Sequence, residues 1–212
     1  MSDKKTENFT KPLVALSILH IIGLICIRYP GLLEVFQLLA PFNLLIVFTT
    51  LLYYQKHWNF RVLAFLGGIY LASFIIEAVG VNTGYIFGEY KYGRALGLKV
   101  FNTPLVIGIN WLILTYSVAL LVKNMKFGVY GNALLAAIML VSLDVLIEPV
   151  AIRTGMWAWA DGKVPVQNYL AWFVFSYLFV TALLASKSKL RNDFAPYVFV
   201  IQLVFFVLAN VL

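Results

Sequence analysis

The chain has 212 residues, 62% hydrophobic and only 12% charged, whereas a soluble domain carries about 25% charged residues. Too little polar surface is left to coat a water-soluble core, so the composition reads as a membrane-embedded helical protein. The net charge of +7 reads as loop charge near anionic lipid rather than a nucleic-acid surface; the single cysteine excludes a disulfide framework or cysteine-built zinc site, and two histidines exclude a histidine-cluster di-iron site.

A bilayer span takes about 20 mainly apolar residues, with a range of roughly 17–25. The gaps between charged residues mark seven candidates. The first, 12–27, follows the tail MSDKKTENFTK. The CIRYPG after it has no small-x-small cleavage site, which predicts a retained helix rather than a signal peptide. Within it, Cys26 reads as a small apolar filler and His20 as a hydrogen-bonded core histidine. The second candidate is 35–55. The third and fifth are cut short by carboxylates, Glu77 and Asp144, and reading through these gives about 61–81 and 129–152. The fourth, sixth and seventh are 100–122, 164–186 and 194–212. Two Gly- and aromatic-rich loops, 82–103 and 153–168, are the irregular parts, and no strand is expected. The whole of 1–212 reads as one all-α integral membrane domain, a bundle of about seven transmembrane helices. Ten Lys and Arg fall on the side of the N-terminus and six on the other. That bias predicts a cytoplasmic N-terminus in an inner membrane.

Two stretches align: EAVGVNTGYIFGEY from Glu77 and EPVAIRTGMWAWAD from Glu148. Both read Glu, five residues, Thr-Gly, then aromatics and an acid. Downstream, Trp111 lies seven residues after Pro104, and Trp172 seven after Pro165. Helices 3–4 and 5–6 therefore form an expected internal parallel repeat, about an axis along the membrane normal. Glu77 lies about 24 Å up its helix from Arg61, and Asp144 about 27 Å up from Lys126, at 1.5 Å per residue. Glu148 is one turn beyond Asp144 on the same face. The three carboxylates should therefore gather at one depth, under the aromatic loops, and face one interior cavity.

A carboxylate inside a span is a functional candidate by default, and a carboxylic acid kept neutral can donate a proton. The aromatics of the two loops can stabilise a cation through their faces. Gly80, Gly84 and Gly88, four apart, read as close helix packing. Helix 7 has no Lys for a retinal Schiff base, Asp144 has no Asp-rich partner for a magnesium diphosphate, and no Gly-rich dinucleotide fingerprint follows a strand. What survives is chemistry by acid and water on a lipid-soluble substrate, with neither metal nor other cofactor. A membrane protein that merely binds or transports such a lipid remains the non-catalytic alternative.

The runs TGYIFGEYKYG (83–93), DVLIEP (144–149), TGMWAW (154–159) and PVQNYLAW (165–172), in this order and spacing, resemble the integral-membrane carotenoid hydratases of the carotenoid biosynthesis protein family. The resemblance implies a carotenoid substrate, surrounded by membrane lipid, whose terminal C1–C2 alkene is protonated to a tertiary cation and captured by water. On that reading Asp144 or Glu148 donates the proton, and Glu77 positions water as general base. Tyr90, Tyr92, Trp157 and Trp159 line the cation; Asn82, Asn110 and Asn168 orient carboxyls or water. Trp111 and Trp172 complete the substrate wall. The same cation denied water would close a ring, so a lycopene-type cyclase is the alternative enzyme.

Overall fold

A computed structural model of the chain describes residues 9–186 and 190–212. Among these, the helices are α1 (Thr10–Arg28), α2 (Leu33–Tyr54), α3 (Phe60–Thr83), α4 (Leu105–Val122), α5 (Gly128–Arg153), α6 (Val166–Ala185) and α7 (Ala195–Val211). The first six are long and apolar enough to cross a membrane; α7 has 17 residues and is shorter. The molecule is an all-α integral membrane bundle. In lipid every backbone N–H and C=O must be paired within the protein, which is why long apolar runs become helices.

Burial sorts the helices. α4 is apolar on every side and 78% of it is buried, the signature of a central helix. It packs against α2, α3, α5, α6 and α7. Only 17% of α1 and of α2 is buried, so most of their surface faces lipid.

At one end, called here the turn end, the short connections are locked together. Lys56 Nζ lies 2.6 Å from Asp193 Oδ2, and Asn192 Nδ2 donates to the Leu51 carbonyl at 2.7 Å. Asn192 Oδ1 in turn accepts from the N–H groups of Phe194 and Ala195, capping the start of α7. The opposite, loop end carries the two long connections.

The loops are not irregular throughout. They contain four short strands: β1 (Tyr90–Tyr92), β2 (Lys99–Val100), β3 (Thr103–Pro104) and β4 (Trp157–Trp159). This corrects the expectation of no strand. β1 pairs antiparallel with β4, tying one loop to the other. β2 and β3 form a tight hairpin whose turn residues, Phe101 and Asn102, both have positive φ (50° and 60°), the backbone twist such two-residue turns need. That hairpin occupies the chain up to Pro104, so the fourth helix begins at Leu105 rather than near residue 100.

The glycine spacing also reads differently in three dimensions. Gly80 makes room for the ring of Phe87, which folds back on α3. Gly84 ends α3 in the left-handed conformation, and Gly88 sits against Pro165. None of the three packs one helix against another. Of the basic residues behind the orientation argument, Lys4, Lys5, Lys187 and Lys189 lie outside the described residues.

Candidate functional site

The three carboxyls converge at the loop end. Glu77 is 4% exposed, Asp144 1% and Glu148 2%. Glu77 stands near the end of α3, Asp144 and Glu148 one turn apart on α5. They lie close enough for their charges to act on one another.

Each glutamate is wrapped by aromatic donors. Glu77 Oε2 accepts from the Tyr90 and Tyr92 hydroxyls, both at 2.6 Å, and its Oε1 accepts from Trp111 Nε1 at 2.7 Å. Glu148 Oε2 accepts from Trp157 Nε1 at 3.0 Å and Trp159 Nε1 at 2.9 Å. The donors are set by the sheet. In a strand, alternate side chains share a face, so Tyr90 and Tyr92 point together, as do Trp157 and Trp159. In the register Tyr90 lies opposite Trp159 and Tyr92 opposite Trp157. The two tyrosines of one glutamate therefore back directly onto the two tryptophans of the other. Burial, and then the adjacent Glu77, push both phenols well above the ordinary tyrosine range, so they remain donors.

Asp144 differs. Its Oδ2 accepts from Asn168 Nδ2 at 2.8 Å, while its Oδ1 is buried with no hydrogen-bond partner among the described residues. The same Asn168 amide lies 3.4 Å from Glu148 Oε1 and so bridges the two α5 carboxyls. A buried carboxyl oxygen without a partner is costly. It is also the one carboxyl oxygen in the cluster without a hydrogen bond to a described residue.

Equivalent positions of the two repeats adopt equivalent geometry. Thr83 and Thr154 each turn their hydroxyl back to the carbonyl four residues earlier, at 2.7 Å in both cases. Gly84 and Gly155 follow with φ of 70° and 69°. Trp111 and Trp172 stack on one another.

Two of the expected site residues lie apart from the carboxyls. Asn82 ties the end of α3 to the hairpin: its Nδ2 donates to the Ala78 and Phe101 carbonyls, and its Oδ1 accepts from Asn102. Asn110 lines a neighbouring cavity of about 170 Å³. This cavity lies among α1, α2, α4, α5 and α7 and reaches up to Met156 and Trp157. None of the three carboxylates forms its wall; Trp157 stands between it and Glu148. His20, Asn43 and Gln202 also line it. The sequence reading passed over the last two. Their only signal was a lone amide in an otherwise apolar run. His20 is a core histidine in one respect, since its Nδ1 bonds the Leu16 carbonyl.

The family model for carotenoid biosynthesis proteins matches residues 35–212. Bisanhydrobacterioruberin hydratase of Haloarcula japonica is 36% identical over 119 residues, a stretch covering 49% of this chain and 38% of that protein. The match thus spans about two-fifths of the length of that relative. No solved structure matches the chain.

Proposed function

The chain belongs to the carotenoid biosynthesis protein family, and from that premise we propose that it adds water across the terminal double bond of an acyclic or monocyclic carotenoid end group. The observation that carries this reading is the Oδ1 of buried Asp144, which has no partner among the described residues, one turn from the tryptophan-wrapped Glu148. The similarity to a hydratase points the same way.

Asp144 is the proton donor. Protonation of the less substituted alkene carbon breaks the π bond and leaves a tertiary cation on its neighbour. Water attacks that carbon and gives up one proton, so alkene plus water becomes a tertiary alcohol with no net change in charge. Asn168 holds Asp144 Oδ2 and so fixes which oxygen faces the reactant. A carboxylate has about four lone-pair sites. The three donated bonds at Glu77 leave it room for a single water, which suits a general base that meters water. The Trp157 and Trp159 N–H groups point in the ring plane at Glu148, and their ring systems, packed with Tyr90 and Tyr92, form an aromatic cluster beside the acids that stabilises a nearby cation. The reaction as written calls on no cofactor.

The N-terminus is assigned to the cytoplasm, and the loop end to the opposite face, on the ten-to-six Lys and Arg balance.

The test is expression in a host that accumulates lycopene or a monocyclic relative, followed by mass analysis of the pigment. Gain of one water is the expected result. An isomer of unchanged mass with a shortened chromophore means a cyclase, and unchanged pigment from well-expressed protein favours a non-catalytic carotenoid binder or a different substrate.

A further inference from the structure

The cavity beside Trp157 has a polar interior that the acid cluster does not use. Its polar side chains come from four helices: His20 on α1, Asn43 on α2, Asn110 on α4 and Gln202 on α7. Gln202 is 5% exposed and makes no hydrogen bond to any described residue. Asn43 Oδ1 is buried with no partner among the described residues. His20 has a defined tautomer. Its Nδ1 lies 2.7 Å from the Leu16 carbonyl oxygen, which can only accept, so Nδ1 carries the hydrogen and Nε2 of the neutral ring is a bare acceptor. Buried polar groups are normally paired, and these converge on one space.

The chemistry of that space selects its occupant. Among the described residues no Asp, Glu, Lys or Arg lines it, and the rest of the wall is aliphatic, aromatic or thioether and thiol. The occupant is therefore neutral and mainly apolar. It must also donate to His20 Nε2 and accept from an amide N–H. A hydroxyl does both, a hydrocarbon neither, and a ketone or ether only the second. Ile22, Leu39, Phe42 and Ile46 line the cavity and are exposed on the outer surfaces of α1 and α2, so its mouth faces lipid. The volume, about 170 Å³, is slightly larger than the roughly 150 Å³ cavity that takes one benzene. It suits the end of a chain.

We infer that this cavity is a separate binding site for the hydroxyl-bearing end of a neutral isoprenoid, gripped by His20, Asn110 and Gln202. That the alcohol is an isoprenoid rests on the proposed function; the recognition of a hydroxyl does not. A site of this kind beside the carboxyls favours the alcohol over the alkene on the protein.

The experiment measures saturable binding to the full chain in detergent, counted over empty micelles, with two radiolabelled probes: a branched ten-carbon tertiary alcohol and its parent hydrocarbon. The wild type is expected to prefer the alcohol about tenfold. Gln202→Leu and His20→Phe, which keep size and apolar contact, should each lower alcohol affinity about two- to tenfold, the range for one neutral hydrogen bond, and leave the hydrocarbon unchanged. Equal binding of both probes by the wild type overturns the inference, as does an unchanged preference in both variants or no saturable binding of either probe. Asp144→Asn separates this inference from the hydratase reading. Alcohol preference retained in that variant supports the site whatever the turnover assay returns, and its absence in a wild type that still hydrates carotenoid sinks the site alone.

Discussion

Trp111 and Trp172 lie face to face, their ring centroids 4.0 Å apart and their planes 20° from parallel. The stack joins α4 to α6 and fixes the plane from which Trp111 Nε1 donates to Glu77. Trp111→Phe keeps an aromatic ring in the stack and removes the N–H. It should cost about 1.5–3 kcal/mol of stability, the range for a hydrogen bond to a charged group, and lower turnover with it. Thermal melts beside pigment conversion would check both.

Asp144→Asn and Glu77→Gln should part company. At 144 the amide oxygen can still accept from Asn168, so melting should barely move while hydration falls at least about 100-fold, the low end of general acid–base contributions. At 77 an amide nitrogen would face a hydroxyl or indole donor already there. That variant should lose both turnover and stability, the latter by about 1–3 kcal/mol. Near-normal turnover in both would make the acids purely structural.

The backbones of the two loops meet at Gly93, whose N–H donates to the Met156 carbonyl at 2.8 Å. A Cβ there would lie 1.9 Å from the Gly155 carbonyl oxygen, a backbone atom that cannot swing aside. Gly93→Ala should push β1 off β4 at a cost of about 3 kcal/mol, the upper part of the usual overpacking range. Faster proteolysis within loop 82–103 is the readout.

Alkaline pH should loosen the loop end. The Tyr90 and Tyr92 phenols are held above their unfolded value of about 10. The stability this represents is complete below that value and is lost as pH rises beyond it. The melting temperature should fall above about pH 10, and Tyr90→Phe or Tyr92→Phe should flatten the fall. A slope unchanged in both variants would contradict the assignment.

Orientation can be read by labelling. With Cys26 replaced, single cysteines at the exposed positions His57 and Lys163 should react with an impermeant reagent from opposite faces of the membrane. Reaction from one face would overturn the topology.

Much of this arrangement was legible in the chain. A carboxylate interrupting an apolar run stands out because a bilayer tolerates few of them, and helical rise alone placed Glu77 and Asp144 at one depth. The Glu-to-Thr-Gly spacing repeats, and so do the cap geometries at Gly84 and Gly155. Other features were harder to read. Tyr-Lys-Tyr and Trp-Ala-Trp alternate as strands do, but three residues are too few to separate a strand from an aromatic membrane belt. Charge gaps put the start of the fourth helix too early, because an uncharged hairpin looks like an uncharged helix. Asn82 reads in sequence as an amide that orients a carboxyl or water, yet five residues along the helix from Glu77 turn it to another face, where it holds the hairpin. Asn43 and Gln202 matter only because separate helices bring them to one cavity, and spacing along one chain carries no trace of that.

The hydrogen bonds around the carboxyls also bear on how such a protein enters a membrane. Every donor to Glu77 comes from the 34 residues that follow it, and the donors to Asp144 and Glu148 follow within 24. An acid at the centre of a span costs roughly 2.5–3.5 kcal/mol to insert, and one nearer its end, as here, less. Here each acid is synthesised just ahead of the groups that offset that cost. The α3–α4 hairpin can carry Glu77 into lipid already paired, and α5–α6 can do the same for its own two acids. The halves then join through the backbone of β1 and β4 and the tryptophan stack. Two self-contained insertion units, laid down in order, spare the bilayer from holding a bare charge while the rest of the chain is made.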